Sequence, residues 1–233
     1  MTDSPLTRWE ATENRRGYGA HFESLRTAGE DIEGEARLAD VLAPRHARIL
    51  DAGSGMGRVG AALAARGHRV VGVDLDAELL EQSRATYPHL PVVQGRLDVL
   101  SHEHLTAAGE PGPFDLIVCV GNVMILLAPD TERDVLSRLR DLLGVGGRLL
   151  VGFHTNATPP NSRHYSPAEF ADDVAAVGLR IESRHATYDL APFDPAGDYV
   201  VHVLGRCRPV GGRVLVRRIL GATQRAERHL LHT

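Results

Sequence analysis

From Arg48 onward, short runs of β-branched and aliphatic residues alternate with stretches whose apolar positions recur at helical spacing. The runs are Arg48 to Asp51, Arg69 to Val73, Pro91 to Gln94, Phe114 to Val120 and Gly147 to Phe153. Between them the spacing predicts helices over Gly57 to Arg66, Ala77 to Tyr87 and Thr131 to Leu143. The last places Leu136, Leu139, Leu142 and Leu143 on one face, and Gly144 supplies its stop. Strands alternating with helices in this way form a parallel sheet covered on both faces.

Ser166-Pro167-Ala168-Glu169 marks a further helix, reaching about Val177: the serine caps, the proline suits the first turn, and the glutamate can reach back to the cap amide. Two β-like runs follow, Leu179 to Tyr188 and Asp198 to Leu204. The turn-rich segment 191–197 between them predicts an antiparallel pair at one edge of the sheet. Residues 1–47 read as an N-terminal helical cap or lid with scattered aromatics, residues 48–204 as the main domain and residues 205–233 as a basic extension.

Composition narrows the chemistry. All 26 basic residues of the 233 are arginine, so Schiff-base lysine, pyridoxal phosphate anchoring and a P-loop lysine are excluded. Arginine cannot replace them, because it stays protonated. Two cysteines, Cys119 and Cys207, are too few for a disulfide framework or a four-cysteine zinc site, and point to a reducing compartment. His102-Glu103-His104 lacks a third ligand nearby and reads as a solvated turn; no metal is expected. Without an apolar signal segment or an 18-residue apolar run, the expectation is a soluble cytoplasmic protein with no membrane partner. The net charge of −4 divides into about −10 for residues 1–204 and about +6 for the arginine-rich remainder. That remainder suits a solvated terminal segment or a homo-oligomer contact better than a nucleic-acid site.

The most informative stretch is Asp51-Ala52-Gly53-Ser54-Gly55-Met56-Gly57, where a strand enters a glycine-rich turn before a helix. Seventeen residues past Gly57 the second strand ends in Asp74, at the position from which an acid accepts both hydroxyls of a ribose. Gly55-x-Gly57-x-x-Gly60 also fits a dinucleotide fingerprint, so an NAD(P)-dependent oxidoreductase is one alternative. Asp51 disfavours it, since a pyrophosphate would lie beside a carboxylate. S-adenosylmethionine, which carries a ribose, an ammonium and a sulfonium without phosphate, fits better.

The same turn resembles the D-x-G-x-G-x-G motif of class I (Rossmann-like) S-adenosylmethionine-dependent methyltransferases. Val70 to Asp74, Phe114 to Val118 and Leu143-Gly144-Val145-Gly146-Gly147-Arg148-Leu149 resemble that family's later elements, with Val145 in place of its usual proline. The resemblance implies an α/β three-layer sandwich: a mostly parallel seven-stranded sheet, an antiparallel final strand and helices on both faces. It implies methyl transfer to oxygen or nitrogen of a small-molecule acceptor by in-line displacement, or a non-catalytic cofactor-binding protein as a second alternative.

Residue by residue, Asp51, Gly53, Ser54, Gly55 and Gly57 would meet the methionine moiety, Asp74 and Leu75 the ribose side, and Leu97 and Asp98 the adenine. Gly121 and Asn122 would face the cofactor, and Arg37 could pair with its carboxylate. Arg96 stands where the family commonly has an acid. His154, leaving the fifth strand, is the candidate base, with Asn122 beside it as a second catalytic candidate. Tyr18, His21 and Tyr165 are the lid or acceptor candidates.

Overall fold

In the computed structural model, which describes residues 5–12, 17, 22, 24, 25 and 27–207, helices and strands follow each other in chain order. They are α1 (Gly34–Leu42), β1 (Arg48–Ala52), α2 (Arg58–Ala65), β2 (Arg69–Asp74), α3 (Ala77–Thr86), β3 (Val92–Gln94) and α4 (His102–Ala107). Then come β4 (Phe114–Cys119), α5 (Glu132–Leu142), β5 (Leu143–His154), α6 (Pro167–Ala176), β6 (Leu179–His185) and β7 (Tyr199–Arg206). Short 3-10 turns stand at Leu97–Val99 and Val123–Ile125. One seven-stranded sheet has the order β3-β2-β1-β4-β5-β7-β6. β7 runs antiparallel to both its neighbours, and the remaining pairs are parallel.

The strand pattern explains the three layers. Leu50, Ile117, Cys119, Leu149 and Val151 point to one face and pack under α5 and α6, whereas Ile49, Leu116, Val118 and Leu150 point to the other, against α1 and α2. Successive strand residues face opposite sides, so each strand feeds two cores. Each fully buried aliphatic side chain here contributes roughly 1.5–3 kcal/mol. Truncating a central one such as Ile117, which has no exposure, would cost about 2–5 kcal/mol.

Several boundaries depart from the sequence expectations. The expected antiparallel pair forms, but the last strand inserts between β5 and β6, leaving β6 at the edge. It also extends to Arg206, beyond the expected end at Leu204. α5 passes directly into β5 at Leu143, and the left-handed glycine in that turn is Gly146, not Gly144. Ser166 caps α6 by accepting from the Glu169 N–H at 3.2 Å, but the Glu169 carboxylate pairs with Arg163 instead of returning to the cap. His102-Glu103-His104 is the first turn of α4, not a loop, because Ser101 Oγ caps it through the His104 N–H.

Residues 5–12 are not helical. They cross the carboxyl edge of the sheet as a turn-rich strap, with the Arg8 and Trp9 N–H groups donating to the Leu127 and Leu126 carbonyls at 3.2 and 3.0 Å. On the other side Arg96 Nη1 donates to the Pro5 carbonyl at 3.1 Å and Trp9 Nε1 to Asp76 Oδ2 at 2.9 Å. No helix among the described residues is long and apolar enough to cross a membrane. Tyr18, His21 and most of the basic extension lie outside the described residues.

Candidate active site

β1 sends its crossover to β2 on one side, while its other neighbour is β4, so the chain reverses direction of travel between β1 and β4. In open α/β sheets, the crevice outside the carboxyl ends at such a reversal is the ligand site. A cleft opens there, enclosing about 980 Å³ of empty space with its open mouth included. Its floor holds Asp51, Gly53, Ser54, Gly55, Asp74 and Leu75, and its walls include Leu97, Asp98 and Gly121. These sequence candidates, scattered over more than 70 positions, therefore share one cavity.

Local sequence dictates this floor. Gly53 has φ +82°, and a Cβ there would overlap Val123; Gly57 has φ +85°, and a Cβ would run into Ser83 and Leu90. Both positions require glycine on two counts, the left-handed conformation and the missing space. Gly57 lies under the turn at the N-cap of α2, not on the cavity wall.

The two floor carboxylates are held by backbone N–H groups, Asp51 from α2 and Asp74 from the glycine turn and its own loop. Asp51, only 2% exposed, accepts from the Gly60 N–H at 2.9 Å. Burial pushes its pKa up to about 7, partly offset by that N–H and by the Arg58 guanidinium; the Asp74 and Glu35 charges push it further up. Asp74 accepts from the Gly55 N–H at 2.8 Å and the Asp76 N–H at 2.9 Å. Its pKa is raised as well, by burial above all. A floor with two reluctant anions and a cradle that a methyl group would fill fits a ligand bearing a cation and hydroxyl donors, as S-adenosylmethionine does. It does not fit a pyrophosphate, and Gly60, third glycine of the dinucleotide pattern, is committed to Asp51.

Besides Gly57, four described sequence candidates stand outside the cavity. Arg37 pairs with Asp31 at 2.7 Å and Asp189 at 3.3 Å in a separate surface groove, since α1 turns it away from the glycine loop. Tyr165 is no lid residue: it has no exposure, donates to Asp173 Oδ2 at 2.6 Å and packs its ring with Phe153 and Phe170. Asn122 follows Gly121 in the left-handed conformation, which swings its side chain onto β5. There its Oδ1 accepts from the His154 N–H at 2.9 Å and lies 3.1 Å from His154 Nδ1. His154 is thereby fixed beside Tyr199, whose ring centroid is 4.8 Å away, and neither Asn122 nor His154 lines the cleft.

The cleft instead contains residues that sequence reasoning passed over. Arg58, at the start of α2, forms a two-point pair with Glu35, donates to the Ile32 carbonyl and lies 4.6 Å from the Phe22 ring centroid. Arg96 grips Asp98 through Nε at 3.1 Å and Nη2 at 2.8 Å, which occupies the position read as the adenine acceptor with an internal partner. The lining also takes apolar side chains from elsewhere: Trp9 and Phe22, both far upstream of the motif, and Val123, Leu126 and Leu127. Aromatics in residues 1–47 were the one available signal. Their contact with positions about 120 residues downstream was not written in any local pattern.

Comparison with known proteins agrees with this geometry. A family model described as a methyltransferase domain matches residues 49–147. The solved structure of a TehB-like SAM-dependent methyltransferase from Corynebacterium glutamicum is 36% identical, covering 83% of this chain and 98% of that one with a TM-score of 0.74. A tRNA 5-carboxymethoxyuridine methyltransferase of Escherichia coli is 27% identical over 80% of this chain and 69% of its own length. A ubiquinone biosynthesis O-methyltransferase of Xanthomonas euvesicatoria is 29% identical over 58% of this chain and 64% of its own. The chain thus spans about two thirds of the length of these curated relatives. The glycine cradle, the paired floor carboxylates and the near-complete coverage of the Corynebacterium structure lead to one conclusion: the chain belongs to the class I S-adenosylmethionine-dependent methyltransferase family.

Proposed function

We propose that this enzyme methylates nitrogen or oxygen of a small-molecule acceptor held in the cleft between the glycine turn and the strap. The observation that carries this reading is the roof. Residues 5–12 are hydrogen-bonded to both banks of the cleft, to Leu126 and Leu127 on one and to Arg96 and Asp76 on the other. A polynucleotide would have to displace that roof, whereas a small molecule fits beneath it. The acidic charge of residues 1–204 argues in the same direction.

Bound on the floor, S-adenosylmethionine supplies an electrophilic methyl group on a sulfonium. The chain's own residues do the rest. In this reading Gly53, Ser54 and Gly55 let the backbone approach the methionine portion, and Asp74 accepts the ribose hydroxyls with the lone pairs its backbone contacts leave open. Leu75 would line the ribose side and Leu97 and Asp98 the adenine, with Gly121 facing the cofactor. Asp51 acts through charge from beneath. Positioning alone can supply up to roughly 7–11 kcal/mol of barrier reduction in favourable cases, so a dedicated base is not required of the fold.

Calorimetric titration with S-adenosylhomocysteine tests the cofactor site. Micromolar binding is expected, and Asp74→Ala should weaken it by roughly 1.5–3 kcal/mol, the range for a hydrogen bond to a charged group. Unchanged affinity would remove Asp74 from the ribose role.

A further inference from the structure

The cations of the cleft are already paired, and that pairing bears on the acceptor. Three carboxylates face it, Asp51, Asp74 and Asp98. Both cations on its wall are already matched: Arg58 by Glu35, at 2.7 and 3.0 Å, and Arg96 by Asp98, at 2.8 and 3.1 Å. Arg58 and Glu35 are only 11% and 15% exposed, so separating that pair to greet an incoming anion would leave a carboxylate stranded in a poorly solvated place. Beyond the residues that the cofactor reading uses, the lining includes apolar Trp9, Phe22, Val123, Leu126 and Leu127 and the hydroxyl residues Thr7 and Thr131.

We infer that the acceptor subsite takes an uncharged, largely apolar ring compound and rejects acceptors bearing a carboxylate or phosphate. This rests on the small-molecule methyltransferase reading given above. Trp9 and Phe22 provide flat apolar surface against which a ring can stack. An anionic substituent finds like charges and no spare donor cation among the described residues, and in a site of low dielectric that mismatch is severe. In the transfer, the lone pair of the acceptor nitrogen or oxygen forms the bond to the methyl carbon while the carbon–sulfur bond breaks and sulfur keeps its electron pair. The proton of the methylated centre then passes to water.

The full chain is first titrated with S-adenosylhomocysteine, which tests the underlying reading; absence of binding would overturn that reading itself. Transfer of labelled methyl is then measured over matched sets: ring amines and phenols, the same scaffolds carrying a carboxylate or phosphate, and bulk tRNA. Expected is transfer to uncharged members with kcat/KM at least about 100-fold above their anionic counterparts. Thr131→Arg, which adds a cation at a half-buried position of the lining, should narrow that ratio by at least about 10-fold while the S-adenosylhomocysteine affinity stays within about threefold. Equal or better transfer to carboxylated or phosphorylated scaffolds or to tRNA overturns the inference. So does transfer to no member of the panel by protein that binds S-adenosylhomocysteine, or a selectivity ratio that Thr131→Arg leaves unmoved.

Discussion

Replacing Asp51 by asparagine should change how stability depends on pH in a way that can be worked out beforehand. The folded carboxyl titrates near 7 against a reference of 3.8. A gap of about three pH units at 1.36 kcal/mol each corresponds to about 4 kcal/mol. Because the folded pKa lies above the unfolded one, the stability this group contributes is complete below about pH 4, falls as pH rises and is gone above about pH 7. His202 opposes it. Buried against Phe153 and Phe170 and accepting from Arg184 Nε, its ring has a pKa lowered by burial from 6.5 to about 3. Its contribution is complete above pH 6.5 and is lost as pH falls toward 3, at similar magnitude. Between pH 4 and 6.5 the two contributions therefore run against each other.

Asparagine at position 51 keeps a side-chain oxygen for the Gly60 N–H but cannot ionise, so the Asp51 slope is lost while the others remain. Urea unfolding at pH 4, 5, 6, 7 and 8 should show the variant gaining about 4 kcal/mol relative to wild type across the series. Asp74 titrates with the same sign as Asp51 but is present in both proteins, so the difference isolates position 51. Parallel curves for the two proteins would refute the reasoning. The same carboxyl should link cofactor affinity to pH: a cation nearby favours the charged form, so S-adenosylmethionine binding to wild type should tighten as pH rises from 5.5 to 8, and the asparagine variant should lose that dependence.

Other variants probe separate parts of the molecule. Gly57→Ala, combining a left-handed backbone with collision against Ser83 and Leu90, should cost about 2–4 kcal/mol by chemical denaturation. Trp9→Phe removes the 2.9 Å bond to Asp76 and should speed amide hydrogen exchange at Arg8 and Trp9 by about 10-fold or more, with no change in the exchange of β1. Tyr165→Phe removes the bond to Asp173 Oδ2 while Asp173 Oδ1 keeps its pair with Arg133, so stability should fall by about 0.5–1.5 kcal/mol and kcat stay unchanged; a large fall in kcat with intact stability would restore Tyr165 to the acceptor site.

What could be read from the chain and what could not divides by distance along it. The turn from Asp51 to Gly57, its helix and the acid at Asp74 form one β-α-β unit, so glycine positions and strand ends fixed their mutual geometry almost without reference to the rest. Arg37 looked equally well placed, but its orientation depends on Asp189, 152 positions later. Tyr165 sits just before a helix cap, where exposed aromatics are common, yet Phe153 and Phe170 converge on it from β5 and α6 and leave it no exposure. Asn122 and His154 were matched to the right edge of the sheet, and only the left-handed turn at Asn122 shows that they engage each other instead of the cleft. The strap was missed because its register comes from carbonyls of Leu126 and Leu127, not from any periodicity of its own.

The antiparallel placement of β7 has a practical outcome. Strands parallel to β1 finish at the cleft, so β7 finishes at the opposite edge, about 26 Å away for eight residues in extended conformation. Cys207 follows at once and is exposed, while Cys119 is buried with its thiol pKa pushed far up. A maleimide dye therefore has one reactive address in the chain, on the side remote from the ligand. Trp9, the single tryptophan, stands in the strap on the near side. The protein thus carries its own donor and acceptor positions for resonance energy transfer, and the opening of the strap can be followed without engineering a residue.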